Sequence, residues 1–165
     1  MPIDPAAERA ARQLLRHTLA TLAYRASKAL HQAPSDFASF RAAAGSRAAG
    51  EILAHMGDLF DWALSMTRGE PVYREQPATT WAEDSARFFA RLRELDAVLA
   101  AEEALTCTAE GLFQGPIADA LTHVGQIGML RRLAGAPVRG ESYFRADIAT
   151  GRVGAEQAAP RLEFD

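Results

Sequence analysis

The sequence predicts an all-α four-helix bundle with a long crossover between its second and third helices. Three observations predict it. The stretch from about Pro5 to Leu30 is rich in Ala, Leu and Arg without internal Gly or Pro, apolar residues along the chain recur at three- and four-residue spacing, and Gly or Pro punctuates the gaps between these segments. No segment carries a strand signal. The 165 residues read as one domain, with the bundle core over about residues 8–137 and an irregular C-terminal tail over 138–165.

The first helix spans about Pro5 to Leu30, with Leu15, Leu19, Leu22, Ala26 and Ala29 on one stripe, and Pro34-Ser35-Asp36 ends it. Phe37 and Phe40 fit a short helical turn covering one end of the core. A second helix is expected from near Ser46 to Arg68, with Gly69 as its stop. Its seam is Ile52, His55, Leu59, Trp62 and Met66. Residues 69–79, with Pro71 and Pro77 and no periodicity, read as the crossover loop.

Thr80-Trp81-Ala82-Glu83 has the spacing of a capping box, in which Thr80 and Glu83 satisfy each other's backbone amides. The helix it opens carries Trp81, Phe88, Leu92, Leu95 and Leu99 on one face and ends near Ala101. Gly111 and Gly115 argue against continuous helix over 102–115. Pro116 suits the first turn of a fourth helix running to about Ala134, where Gly135 stops it. From Ile117 to Leu130 that helix is apolar nearly all round, which predicts deep burial. In the tail, Tyr143, Phe144 and Ile148 are the expected anchors.

Composition narrows function. A formal charge of −3, with arginines scattered along the helices, argues against a nucleic-acid partner. No apolar run approaches the ~20 residues that span a bilayer, and Met1-Pro2-Ile3-Asp4-Pro5 lacks a signal-peptide pattern. Cys107 stands alone, so a reducing, cytoplasmic setting is expected and the thiol is given no role.

Two histidines fall where a helical core would rather have leucine. His55 is on the second-helix seam and His123 in the most apolar helix, with Asp119 one turn before it on the same face. An unpaired imidazole in such a place costs roughly 1–3 kcal/mol, so each needs a partner. One explanation is a divalent metal held by His55, Asp119 and His123 with positions left open for water or a small-molecule substrate. The other is that Asp119 and backbone groups satisfy the rings. His17, on a mixed stripe with Thr21, Tyr24 and Lys28, and His31, at a helix end, are weaker candidates. Asp58 and Asp61 fit either a partner role near His55 or a solvated face, and Trp62 either core packing or a pocket wall. Arg131 and Arg132 read as partners of the helix dipole or as an anion site.

Ile52-Leu53-Ala54-His55-Met56-Gly57-Asp58-Leu59 resembles the second-helix histidine segment of DinB/YfiT-like proteins. The stretch Ala120-Leu121-Thr122-His123-Val124-Gly125-Gln126-Ile127 through Leu130-Arg131-Arg132-Leu133-Ala134-Gly135 resembles their last-helix motif. The resemblance covers about residues 8–137. It implies a four-helix bundle, often a homodimer, with zinc or nickel held by three side chains. His55 and His123 match the family pattern, and Asp119 stands where the family usually has another histidine. Relatives include S-transferases and isomerases that use a low-molecular-weight thiol, and hydrolase-like proteins. The expectation is a metal-dependent enzyme activating a thiol or water. The alternative is a non-enzymatic bundle, a binding or dimerisation module with a degenerate metal site.

Overall fold

A computed structural model describes residues 4–164; the signal-peptide reading of Met1-Pro2-Ile3 lies outside them. Helix α1 spans Pro5–Leu30, where Asp4 accepts from the Ala6 amide and Pro5 needs no partner in the first turn. A 3₁₀ turn at Phe37–Ser39 buries Phe37 between Phe40 and the edge of Trp81, closing one end of the bundle. Helix α2 is Ala49–Thr67 and α3 is Trp81–Ala100, the latter opened by the expected Thr80–Glu83 box. Short helix α4 (Ala109–Leu112), a π-helical turn (Phe113–Ile117) and α5 (Ala118–Leu133) follow one another without a break and form the fourth long helix.

Cross-contacts fix the helix directions. Arg12 on α1 reaches the carbonyl of Ala101 past α3, and Trp81 reaches that of Leu30, so α1 and α3 are antiparallel. Phe37 meets Trp81 at one end while Thr106 bonds the Met66 carbonyl at the other, so α2 and α3 run parallel. Trp62 faces Gly115 and His55 faces Asp119, which sets α5 antiparallel to α2. The segment 69–80 joins the two parallel helices by returning along α2, with Val72 on Ser65, Tyr73 on His55 and Gln76 on Asp58. Between the helices lies a continuous apolar core, with Phe60, Phe88 and Phe89 in edge-to-face contact.

Three expectations about the helices need correction. Helix α2 begins at Ala49 rather than near Ser46, because the Ser46 hydroxyl exchanges hydrogen bonds with the backbone of Ala43, and Glu51 instead accepts from the Ala48 amide. The fourth helix begins before Pro116, at Ala109, where the Thr108 side chain accepts from the Gly111 amide. Proline inside a helix lacks a donor and crowds the preceding turn; the wider π turn gives it room. The deep burial expected of that helix holds for only one face: Thr122, Gly125, Gln126 and Met129 are exposed. Its apolar look came partly from glycines, whose missing side chains need no core.

The tail, expected to be irregular, contains a two-stranded antiparallel pair, β1 (Gly140–Glu141) and β2 (Glu163–Phe164). Phe144 is 98% exposed and anchors nothing, whereas Ile148 packs on the core and Val153 is buried. The strongest anchor is a charged residue. Glu141 accepts from the Tyr24 hydroxyl at 2.6 Å and from Lys28 at 2.9 Å, and Lys28 also reaches Glu163 at 2.7 Å. Among the described residues, no helix is long and apolar enough to cross a membrane.

Candidate metal centre

The parallel–antiparallel arrangement brings the middle of α2 against the first turns of α5. His55 enters from α2; Asp119 and His123 enter from α5 at i and i+4 spacing, immediately after the π turn. One ligand atom from each of the three lies within 4.8 Å of the others. The imidazoles meet edge to face, with centroids 4.8 Å apart and planes at 86°. Both rings are buried, while the Asp119 side chain is 47% exposed and opens the cluster to solvent.

Each ring has an inner and an outer nitrogen. The inner Nε2 of His55 is 3.5 Å from one Asp119 oxygen, and that of His123 is 3.3 Å from the other. The outer Nδ1 of His55 is 2.9 Å from the Tyr73 hydroxyl, and that of His123 is 2.8 Å from Gln126 Oε1. A carbonyl oxygen only accepts, so with that amide oxygen facing the ring His123 Nδ1 carries a proton, and in the neutral ring Nε2 presents a lone pair to the carboxylate. Two acceptors facing one another at that distance call for a cation or a proton between them. Burial first, then the Arg47 charge and the neighbouring His123 ring, hold His55 below its ordinary pKa, while Asp119 works in the opposite direction.

Two of the separations suit a divalent ion in size; the three ligand atoms together spread over up to 4.8 Å, so a single ion would draw the side chains inward. Two ligands each about 2.1 Å from a tetrahedral ion sit about 3.4 Å apart, close to the carboxylate–imidazole separations here. An ion held by two nitrogens and one carboxylate here, half open to water, would keep positions free for a further ligand.

The remaining sequence candidates lie elsewhere. His17 and His31 are exposed and join no cluster with these residues. Asp58 is buried, but it accepts from Arg87 and the Gln76 amide, away from the solvated face; Arg87 also holds Asp61 and the Ala54 carbonyl. Arg131 is neither an anion site nor a mere dipole partner. Its buried guanidinium donates to the carbonyls of Ala29, His31 and Ala136 and so closes the C-terminal end of α1. Cys107 is free and partly buried, and burial pushes its thiol pKa up. Trp62 packs partly buried against the core, edge-on to Tyr73.

Sequence reasoning missed Tyr73. It stands on a segment without periodicity, and no local pattern connects it with a ring 18 residues earlier. Gln126 was visible as a polar residue in an apolar helix needing a partner, and its partner is His123.

Comparison of the chain with protein-family models, with curated proteins and with solved structures gives no match. Fold and cluster alone therefore define the class: a helical bundle carrying two histidines and one carboxylate at the junction of α2 and α5.

Proposed function

We propose that the protein is a divalent-metal-dependent enzyme that binds zinc or nickel through His55, Asp119 and His123 and acts on a small substrate. The observation that carries this reading is the convergence of two inner ring nitrogens on one half-exposed carboxylate. A divalent ion bound there would lower the pKa of a thiol or water and so supply a nucleophile near neutral pH. The protein's own part is to present His55 in its neutral form, to leave the Asp119 side open for the incoming molecule, and to keep the rings dry. The resemblance of both histidine segments to DinB/YfiT-like proteins supports the same reading, with a low-molecular-weight thiol or water as the activated nucleophile. So does the parallel packing of α2 and α3 across the long 69–80 connection.

Elemental analysis of protein purified without an affinity tag tests this. Near-stoichiometric zinc or nickel is expected in wild type and its loss in His123→Ala; wild type that stays metal-free after supplementation would overturn the proposal.

A second reading draws on the same 3.3 Å contact. In a non-enzymatic bundle with a degenerate site, a protonated His123 would simply pair with Asp119. That reading expects strong coupling between positions 119 and 123 in a double-mutant stability cycle of metal-free protein. The metal reading expects weak coupling there, since without the ion the two acceptors gain little from one another.

A further inference from the structure

We infer that Tyr73 and Gln126 are positioning residues for the cluster: from outside they hold the two imidazoles so that both inner nitrogens face Asp119 as lone pairs. The inference rests on the divalent-ion reading above. A histidine binds a cation only through an unprotonated nitrogen, and the tautomer is set by what the other nitrogen meets. Here both outer nitrogens have partners, at 2.9 Å and 2.8 Å. Neither partner belongs to the apolar core.

Tyr73 is 44% exposed, so burial does not explain its fixed place. The chain around it is pinned to α2 on both sides. Before it, the Val72 amide donates to the Ser65 hydroxyl at 2.9 Å. After it, the Gln76 amide donates to Asp58 at 3.1 Å, and Arg87 in turn holds that carboxylate at 2.9 Å. Trp62 meets the Tyr73 ring edge-on at 6.1 Å. A connection whose length needs no ordering is thus fastened at the point where its hydroxyl meets His55. Gln126 follows His123 by three residues on α5, so the helix itself supplies its reach. It is exposed, and water can partly replace it, so its influence is the smaller of the two.

Calorimetric titration of metal-free protein with Zn²⁺ tests the roles, together with ¹⁵N NMR of the histidine rings. Tyr73→Phe is expected to weaken zinc binding by about 10- to 100-fold, the range typical of partners behind a metal-bound histidine. Gln126→Leu should weaken it less. Gln126→Glu should bind at least as tightly as wild type, because a carboxylate still accepts from Nδ1–H. A merely structural strap would lower the melting temperature of metal-free Tyr73→Phe without changing zinc affinity. In wild type the ring spectra should report the Nδ1–H form at both histidines, and Tyr73→Phe should lose it at His55. Unchanged affinity and unchanged tautomers in Tyr73→Phe and Gln126→Leu overturn the inference. Failure of wild type to take up zinc sinks the ion reading, and the tautomer spectra then decide the positioning roles by themselves.

Discussion

Two of the polar clusters in this bundle differ in how their charges are met. Around Lys28 every group is answered: one ammonium serves Glu141 and Glu163, and the Tyr24 hydroxyl takes the remaining Glu141 oxygen. Around Asp119 the donors are fewer: the outer nitrogen of His123 meets an amide oxygen, that of His55 meets a hydroxyl that donates or accepts, and both inner nitrogens face one half-exposed carboxylate. The first arrangement is complete and holds the tail to α1. On the reading proposed above, a cation completes the second. Convergence of polar groups thus says little until the donors and acceptors have been counted.

The sharpest way to break the comparison is to remove one charge from the closed cluster. Lys28→Met leaves the fully enclosed Glu141 carboxylate without its cation, which should cost about 3–5 kcal/mol of stability by denaturant unfolding. It should leave zinc binding untouched. A Lys28→Met/Glu141→Leu pair should recover much of that loss, since the uncompensated charge is gone.

A smaller effect is expected where the open cluster leans on its surroundings. Gly57 lies in the middle of α2, and a Cβ there would stand 2.7 Å from the Arg87 guanidinium. That guanidinium cannot swing away freely, because Asp58, Asp61 and the Ala54 carbonyl hold it. Gly57→Ala, ordinarily favourable in a helix, should instead destabilise by about 1–3 kcal/mol in thermal unfolding. Zinc affinity should fall with it, because Asp58 also fixes the backbone beside Tyr73.

The smallest expected effect is on pH dependence. Burial and the nearby Arg47 guanidinium hold His55 below its ordinary value of 6.5 in the folded protein. The unfolded chain therefore takes up a proton at His55 before the folded one does. Its contribution is full above about pH 6.5 and declines as pH falls through that value toward the folded pKa. In chelator, wild type should lose more stability than His55→Gln between about pH 7.5 and 5.5. An equal loss in both would remove His55 as the cause.

The fold was legible where periodicity was strong. Leu15, Leu19, Leu22, Ala26 and Ala29 on α1, and Phe88, Leu92, Leu95 and Leu99 on α3, all lie in the core. The three cluster residues were legible because polar side chains at seam positions have to be explained, and i, i+4 spacing joins two of them. The π turn was not, since Gly111, Gly115 and Pro116 each argue against helix when read singly. Gly115 turns out to sit where the Trp62 ring closes in, 3.3 Å from where a Cβ would be. Glu141 was not legible either: nothing local marks a glutamate as buried when its cation lies more than a hundred residues away. Tyr73 escaped for the same reason, its role being set by a long return path.

The comparison between the clusters reduces to one titration. Metal-free wild type, Lys28→Met and Asp119→Asn are each titrated with Zn²⁺ by calorimetry. One ion per chain is expected in wild type and in Lys28→Met, with binding lost or strongly weakened in Asp119→Asn, whose amide keeps the shape and removes the charge. Undiminished binding in Asp119→Asn, or none in wild type, would contradict the account.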